Sequence, residues 1–351
     1  MIAYANTPLF WDTLGQIPRL NLAQFPTPLL AMPRLATKLN VKELWFKRDD
    51  LISFGLGGNK IRGLEFLMAD ALAQHADYIV TGAGVQSNHV RATAAASAYC
   101  NLRCKAVFWG RPPDQVDGNY RVTRMLGAES FFTGDPDRAS VDQGIARICG
   151  ELIDQGHQPY PIPRGGACAL GALGHVLAAH ELYEQCDESG FMPDLVVLAA
   201  GSGGTHAGWL LGTHLLGNPW QTISVTVSRE VKAVRAEIAR IANETAFYLH
   251  IDWQFTPEKV AVHDGFIGEG YGIPSPEGAN AIRLVGRSEG VLLDPTYTGK
   301  AMAGLIDLSQ HELAKDRSIV FLHSGGEPAF FAGAGNWLQK DTNVSPTNLN
   351  R

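Results

Sequence analysis

Several apolar runs in this chain show no polar alternation, and they constrain its fold more than any other feature. Leu195-Val196-Val197-Leu198-Ala199-Ala200 is apolar throughout. Ile223-Ser224-Val225-Thr226-Val227 and Ser318-Ile319-Val320-Phe321-Leu322 are nearly so. A strand with one wet face alternates, whereas a continuous run suits a strand covered on both faces, as in parallel sheets between helices. Leu44-Trp45-Phe46, Tyr78-Ile79-Val80-Thr81 and Lys105-Ala106-Val107-Phe108-Trp109 are expected as further strands. Between them the spacing predicts helices. Residues 60–75 put Ile61, Leu64, Leu67, Met68 and Ala71 on one face, and 87–100 form an alanine-rich helix able to pack closely on a sheet. Repeated strand-loop-helix order predicts an α/β chain with doubly wound, mainly parallel sheets. Ligands then bind outside the carboxyl ends of the strands.

A length of 351 residues leaves room for two domains or one large α/β unit. Pro161–Pro163 and Gly165-Gly166 suggest a passage between domains, and Pro26-Thr27-Pro28 an extended entry. The expected division is a large domain of 1–62 and 166–351 with a small α/β domain, 63–165, inserted in it. The polar tail Thr342–Arg351 is expected to fray. A net charge of -6 and the lack of a basic run argue against a nucleic-acid partner. Met1–Asn6 lacks a basic region followed by an apolar stretch, and no run is long enough to span a bilayer, so neither a signal peptide nor a membrane partner is expected. The 5 cysteines are irregularly spaced with no Cys-x-x-Cys pair, which fits reduced thiols and a cytoplasmic location. No His-x-x-x-His pair stands beside a suitable acid, so no metal is expected.

Three segments make best sense together. Gly57-Gly58-Asn59-Lys60 holds a lysine behind two glycines, beside the Asn59 amide. Val85-Gln86-Ser87-Asn88-His89 follows an apolar strand, and Gly201-Ser202-Gly203-Gly204-Thr205 joins a strand to a helix. A nucleophilic amine, polar groups to orient a ring and a phosphate cradle are what pyridoxal phosphate (PLP) requires. Each segment alone has a plainer explanation. A lysine at a helix start is usually solvated, Ser87 or Asn88 can simply cap a helix, and a glycine-rich turn can simply be a turn. The glycine loop also resembles part of a dinucleotide fingerprint. Its glycine spacing is imperfect, however, and Val225-Thr226-Val227 leads to Ser228-Arg229 rather than to an acid. Gln86, Ser87, Asn88 and His89 are the candidate substrate contacts.

With these motifs, the chain resembles the PLP-dependent fold type II family, the tryptophan synthase β-like group, over roughly residues 20–335. Within it the match is to the D-cysteine desulfhydrase / 1-aminocyclopropane-1-carboxylate (ACC) deaminase branch. Besides the three segments, it rests on Lys47-Arg48-Asp49-Asp50, Ala169–Gly174, Gly268–Pro274, Leu293–Lys300 and His323–Gly326. The resemblance implies a homodimer with PLP in the cleft between two domains. Lys60 matches the Schiff-base lysine, Asn88 the ring-oxygen contact, Ser87 a serine near the substrate carboxylate, and Gly201, Ser202, Gly203, Gly204 and Thr205 the phosphate loop. Tyr271 and Tyr297 match two tyrosines that flank the ring. Thr298 and Ser324 stand where the deaminase pattern has a glutamate facing the pyridine nitrogen and a leucine. A hydroxyl from either is expected to donate to that ring nitrogen, and the neutral pair points to the desulfhydrase side or to other β-eliminating relatives.

Gly63 stands where relatives usually have lysine, so a phosphate-side charge is expected to be missing, and Ala167-Cys168 and a shortened stretch at 110–121 depart too. Arg164 is an addition, either a solvated turn residue or a contact for an acidic substrate group. The expected activity is a lyase reaction: β-elimination from a small amino acid, D-cysteine first, giving pyruvate, hydrogen sulfide and ammonia. Cysteate cleavage and ACC deamination are the alternatives, and a PLP-binding protein without turnover is the alternative of another class.

Overall fold

The computed structural model describes residues 8–333. Met1–Asn6 and the tail Thr342–Arg351 lie outside them. The strands form two sheets. The larger has the order β1-β2-β10-β7-β8-β9, with β1 Leu29–Ala31, β2 Glu43–Arg48, β7 Leu195–Ala200, β8 Gln221–Thr226, β9 Val262–His263 and β10 Ser318–His323. The smaller has the order β5-β4-β3-β6, with β3 Tyr78–Ala83, β4 Arg103–Phe108, β5 Glu129–Phe132 and β6 Pro159–Pro161. Every pairing is parallel except β1 with β2.

The apolar runs are the central strands. In β10 every residue is buried, and Ile319 sits in register with Leu44 on one side and Leu195 on the other. One face of this sheet packs Phe46, Val197, Val225 and Phe321 against Ile282, Met302 and Leu305. The other packs Val196, Leu198, Val320 and Leu322 against Leu182 and Trp209. Helices on both faces account for the missing alternation.

The helix Lys60–Ala73 buries Ile61, Leu64, Leu67, Met68 and Ala71 with Ile79 and Ala92. Its other side meets the helix Ala169–Glu188 closely. A Cβ on Gly63 would lie 2.5 Å from the Gly171 carbonyl oxygen. No lysine fits there, so Gly63 is a helix-contact residue and not a vacant phosphate-side charge. Beneath this contact Arg62 pairs with Asp49 at 2.8 Å and with Glu181 at 2.9 Å, while Lys47 donates to the Thr27 carbonyl at 2.7 Å and pairs with Glu181. The Lys47–Asp50 motif thus supplies a buried ion network that ties the edge of β2 to two helices.

Candidate active site

Both sheets aim the carboxyl ends of their strands at one cavity. The large sheet supplies the loops after β2, β7, β8 and β10, and the small sheet those after β3, β4, β5 and β6. Lys60, Ser87, Asn88, His89, Tyr271 and Tyr297 line it together. Asn59, Gly201, Ser202, Gly203, Thr205 and Ser324 complete the expected set found there.

The loop before Lys60 is shaped by glycine. Gly57 and Gly58 have φ of 78° and 101°, and a Cβ on Gly57 would lie 2.5 Å from the Ile52 carbonyl oxygen. Arg91 fastens this loop by donating to the Gly57 carbonyl at 2.9 Å and to that of Gly55. Asn59 is fixed twice: its N–H donates to the Ser324 carbonyl at 3.1 Å, and its amide donates to Thr205 Oγ1 at 3.1 Å. Lys60 then starts its helix with Nζ in the cavity, donating to the Gly165 carbonyl at 3.1 Å. Burial lowers its pKa to about 8.

Gly203, at φ 98°, ends the loop after β7 and begins the helix Gly204–Leu215 without a side-chain cap. The first-turn N–H groups of such a helix have no intrahelical acceptor and the dipole favours an anion. Backbone also runs close here, since a Cβ on Gly204 would lie 3.1 Å from Ala167 Cα. Ala167 is therefore a packing partner of this loop.

After β3, Ser87 caps the helix Asn88–Tyr99, accepting from the Val90 N–H at 3.3 Å, so helix capping and a place in the cavity coexist. Asn88 Oδ1 accepts from Asn119 Nδ2 at 2.9 Å, which leaves its own Nδ2 as the free donor. Thr81 gives its proton to the Ile162 carbonyl, so the 3.0 Å contact with His89 is donated by His89 Nε2. Burial, with Lys60 nearby, lowers His89 to about 3. It is a neutral imidazole at working pH.

Tyr271 and Tyr297 touch hydroxyl to hydroxyl, with rings 5.8 Å apart at 72°. Burial raises the pKa of both, so both are protonated phenols near neutrality. Lys300 holds the Tyr271 loop by donating to the carbonyls of Ile267 at 2.6 Å and Gly270 at 2.9 Å.

Thr298, Gln86 and Gly204 are not among the residues that line the cavity. The Thr298 hydroxyl donates to Asp294 Oδ1 at 2.7 Å and accepts from the Asp294 N–H at 2.8 Å. Both of its roles are spent within the turn, and the expected contact with a ring nitrogen is corrected on that ground. Ser324 lines the cavity, and its hydroxyl has no hydrogen-bond partner among the described residues. The Gln86 amide donates to Asp117 at 2.9 Å and accepts from the Asn119 N–H at 2.8 Å. Gln86 braces Asn119, and through it Asn88. Asp117, in the 110–121 stretch, takes part in this brace.

Trp109, Arg138 and Arg229 also line the cavity, and sequence reasoning missed all three. Each follows a strand, where ligands bind in such sheets, and that position was the available signal. Arg164 lines the cavity while paired with Asp142 at 2.8 Å.

Residues 20–325 match the model of a protein family described as "Pyridoxal-phosphate dependent enzyme". The chain belongs to this family. PLP is therefore its cofactor, and the glycine loop at an uncapped helix end, with a buried amine across the cavity, fits that group. D-cysteine desulfhydrases are similar to this chain: that of Serratia proteamaculans is 42% identical over 91% of this chain and 97% of its own, and that of Salmonella typhi 40% over the same shares. Among solved structures, an ACC deaminase homologue superposes with a TM-score of 0.88 at 34% identity, covering 95% of this chain and 99% of its own. Threonine deaminase isoform 2 from Solanum lycopersicum, at 17% identity and TM-score 0.65, shares the fold. That fold is type II, as the motifs implied.

Proposed function

We propose that this family member is a lyase that removes the β-substituent of a small amino acid, converting D-cysteine to pyruvate, hydrogen sulfide and ammonia. The observation that carries the proposal is the Lys60 amine, brought to a pKa of about 8 in a cavity shared with the glycine loop and the tyrosine pair. The names of the relatives at 42% and 40% identity supply the substrate.

Lys60 would hold the cofactor's aldehyde carbon, the Gly201–Thr205 loop its phosphate, Asn88 Nδ2 its ring oxygen and Ser324 its ring nitrogen. When bound, the cofactor supplies an electron sink for the pair left as Cα loses its proton. In this scheme Lys60 Nζ takes that proton. The Ser87 hydroxyl and the N–H groups at its helix start orient the substrate carboxylate. Neutral His89 keeps a second charge away from Lys60. The tyrosine pair keeps one phenol proton outside its mutual hydrogen bond, and a departing thiolate would take it. Ser324 offers a hydroxyl but no charge, so it cannot hold the ring nitrogen protonated as a carboxylate would. That suffices for a good leaving group and suits ring opening of ACC poorly.

We further propose that residues 63–165 form an inserted domain and that 1–62 and 166–351 form the larger one. We propose too that the protein works as a cytoplasmic homodimer. Five free cysteines are consistent with that compartment, and among the described residues no helix is long and apolar enough to cross a membrane. Exposed Leu51 and Leu56 flank Phe54, whose ring meets exposed Tyr99 at 5.7 Å, an apolar face that a second copy would cover.

The test is product release from D-cysteine, L-cysteine, serine and ACC by the PLP-loaded protein. Pyruvate and sulfide in equal amounts from D-cysteine, with little 2-oxobutanoate from ACC, are expected. Bound cofactor with no turnover of any of them would overturn the lyase and favour a binding protein.

A further inference from the structure

A chain of hydrogen bonds behind the cavity decides which end of the Asn88 amide faces inward. It starts at Arg91, whose Nε donates to Asn119 Oδ1 at 2.7 Å. A guanidinium has hydrogens to give and no lone pair to offer, so the atom that meets it is the amide oxygen. Burial lowers the Arg91 pKa to about 10, which still leaves it a cation near neutrality. At its other end Asn119 Nδ2 donates to the Gln86 carbonyl at 3.0 Å, and a carbonyl only accepts. The two ends thus fix Asn119 the same way round, each independently of the other. The Asn119 backbone is held as well. Its N–H donates to Gln86 Oε1 at 2.8 Å, and its carbonyl accepts from the Thr123 hydroxyl at 2.8 Å. Asn119 is fully buried, so it cannot turn to water instead.

The second hydrogen of Asn119 Nδ2 goes to Asn88 at 2.9 Å. The atom it meets must be an acceptor, so it is Asn88 Oδ1, and Asn88 Nδ2 faces the other way. Asn88 lines the cavity, and a Cβ on Gly326 would come within 3.0 Å of this Nδ2. Reversing Asn88 alone would set two NH2 groups against each other. Reversing Asn119 as well would set its NH2 against Arg91 and its oxygen against the Gln86 carbonyl. Buried groups facing their like are costly where the local dielectric is low, so a single polarity is left.

We infer that Asn119, held one way round by Arg91 and the Gln86 carbonyl, is a positioning residue that makes Asn88 offer the cofactor an N–H and never an oxygen. This rests on the placement of Asn88 at the ring oxygen given above. A donor at that point stabilises the ring oxygen without its proton and leaves the proton on the nitrogen contributed by Lys60. A protonated nitrogen makes the carbon it is bound to more open to attack by a substrate amine. An amide turned the other way would favour a hydroxyl on the ring and draw the proton off that nitrogen. Neither Arg91 nor Asn119 lines the cavity, so both act only through Asn88.

The experiment reads the absorption of the PLP-loaded protein. A visible band marks the proton on nitrogen, and a near-ultraviolet band marks it on the ring oxygen. The variants are Asn119→Asp, Asn119→Leu and Asn88→Ala, with Asn119→Asp made in the Asn88→Ala background as well. Wild type should show the visible band in excess. The carboxylate of Asn119→Asp has no hydrogen to give, so Asn88 must turn and present its oxygen. The ratio of visible to near-ultraviolet bands should then fall by roughly tenfold or more. Asn119→Leu frees Asn88 to take either orientation and should lower the ratio by roughly threefold, which decides the matter alone if Asn119→Asp does not fold. In the Asn88→Ala background, Asn119→Asp should change nothing further. An unchanged ratio in both Asn119 variants, or an Asn119→Asp effect that persists without the Asn88 amide, would overturn the inference. Asn88→Ala with wild-type PLP affinity and an unaltered spectrum would overturn the placement of Asn88 at the ring oxygen itself.

Discussion

Lys47 and Arg62 beneath the helix contact, and Lys60 in the cavity, are all cations drawn away from water, yet their surroundings treat them in opposite ways. Around Lys47 burial lowers the pKa, while Glu181 and Asp49 push it back up. Arg62 is desolvated too, but Asp49 and Glu181 outweigh this and raise it. Around Lys60 burial acts with no carboxylate to oppose it. A buried cation with matched acids holds elements together, whereas one without them is left to act on something that enters.

The largest effect that would sharpen this contrast is at Lys60. Lys60→Ala should lower turnover of D-cysteine by about a thousandfold or more, since one amine both holds the cofactor and moves a proton. Thermal unfolding of the variant should stay close to wild type. A large loss of stability would place Lys60 with the structural cations.

Glu181→Gln should do the reverse. Removing the acid leaves Lys47 and Arg62 short of charge, at a cost of about 3–5 kcal/mol in denaturant unfolding. The pH dependence follows from the sign of its shift. Burial alone would raise the Glu181 pKa, but Arg62 and Lys47 outweigh it and hold it at about 2, below the ordinary 4.5. Its contribution is therefore complete above about pH 4.5 and lost as pH falls toward about 2. The variant should show a shallower loss of stability across that window. Unaltered stability near neutrality would break the comparison.

Ser324 and Thr298 divide along the same line on a smaller scale. Ser324→Ala should lower kcat by roughly tenfold, as expected for losing one hydrogen bond to a cofactor atom, with unfolding little changed. Thr298→Val should cost about 1–3 kcal/mol of stability by removing a donor from buried Asp294. Interchanged outcomes would restore Thr298 as the ring contact.

The smallest effect concerns pH. If Lys60 must be neutral to attack the cofactor, PLP uptake by the apo-protein should rise with pH through a midpoint near its pKa of about 8. A midpoint near the ordinary 10.5 would mean that burial does not tune this amine.

Much of the molecule was legible because its signals are local. The runs at 195–200 and 318–322 are central strands, and the glycines before Lys60 and Thr205 bend the loops that carry them. β1, β5, β6 and β9 were not foreseen. They are two to four residues long and mostly half-buried or exposed, so tertiary pairing creates them rather than pattern. Thr298 shows a second limit. It follows Tyr297 directly, yet Tyr297 faces the cavity while Thr298 turns back to Asp294, whose carboxylate gathers the N–H groups of Thr296, Tyr297 and Thr298. Sequence adjacency carries no information about which side of a turn a hydroxyl takes. Arg138 and Trp109 were hidden for another reason: they reach the site from the small sheet and belong to no short motif.

The most direct measurement reduces the PLP-loaded protein with borohydride and maps the labelled peptide. Lys60, Lys47 and Lys300 all have amines depressed by burial, so this chemistry separates position from basicity. The pyridoxyl group is expected on the peptide containing Lys60 and on no other. Label on Lys47 or Lys300 would contradict the assignment of the uncompensated cluster as the reactive one.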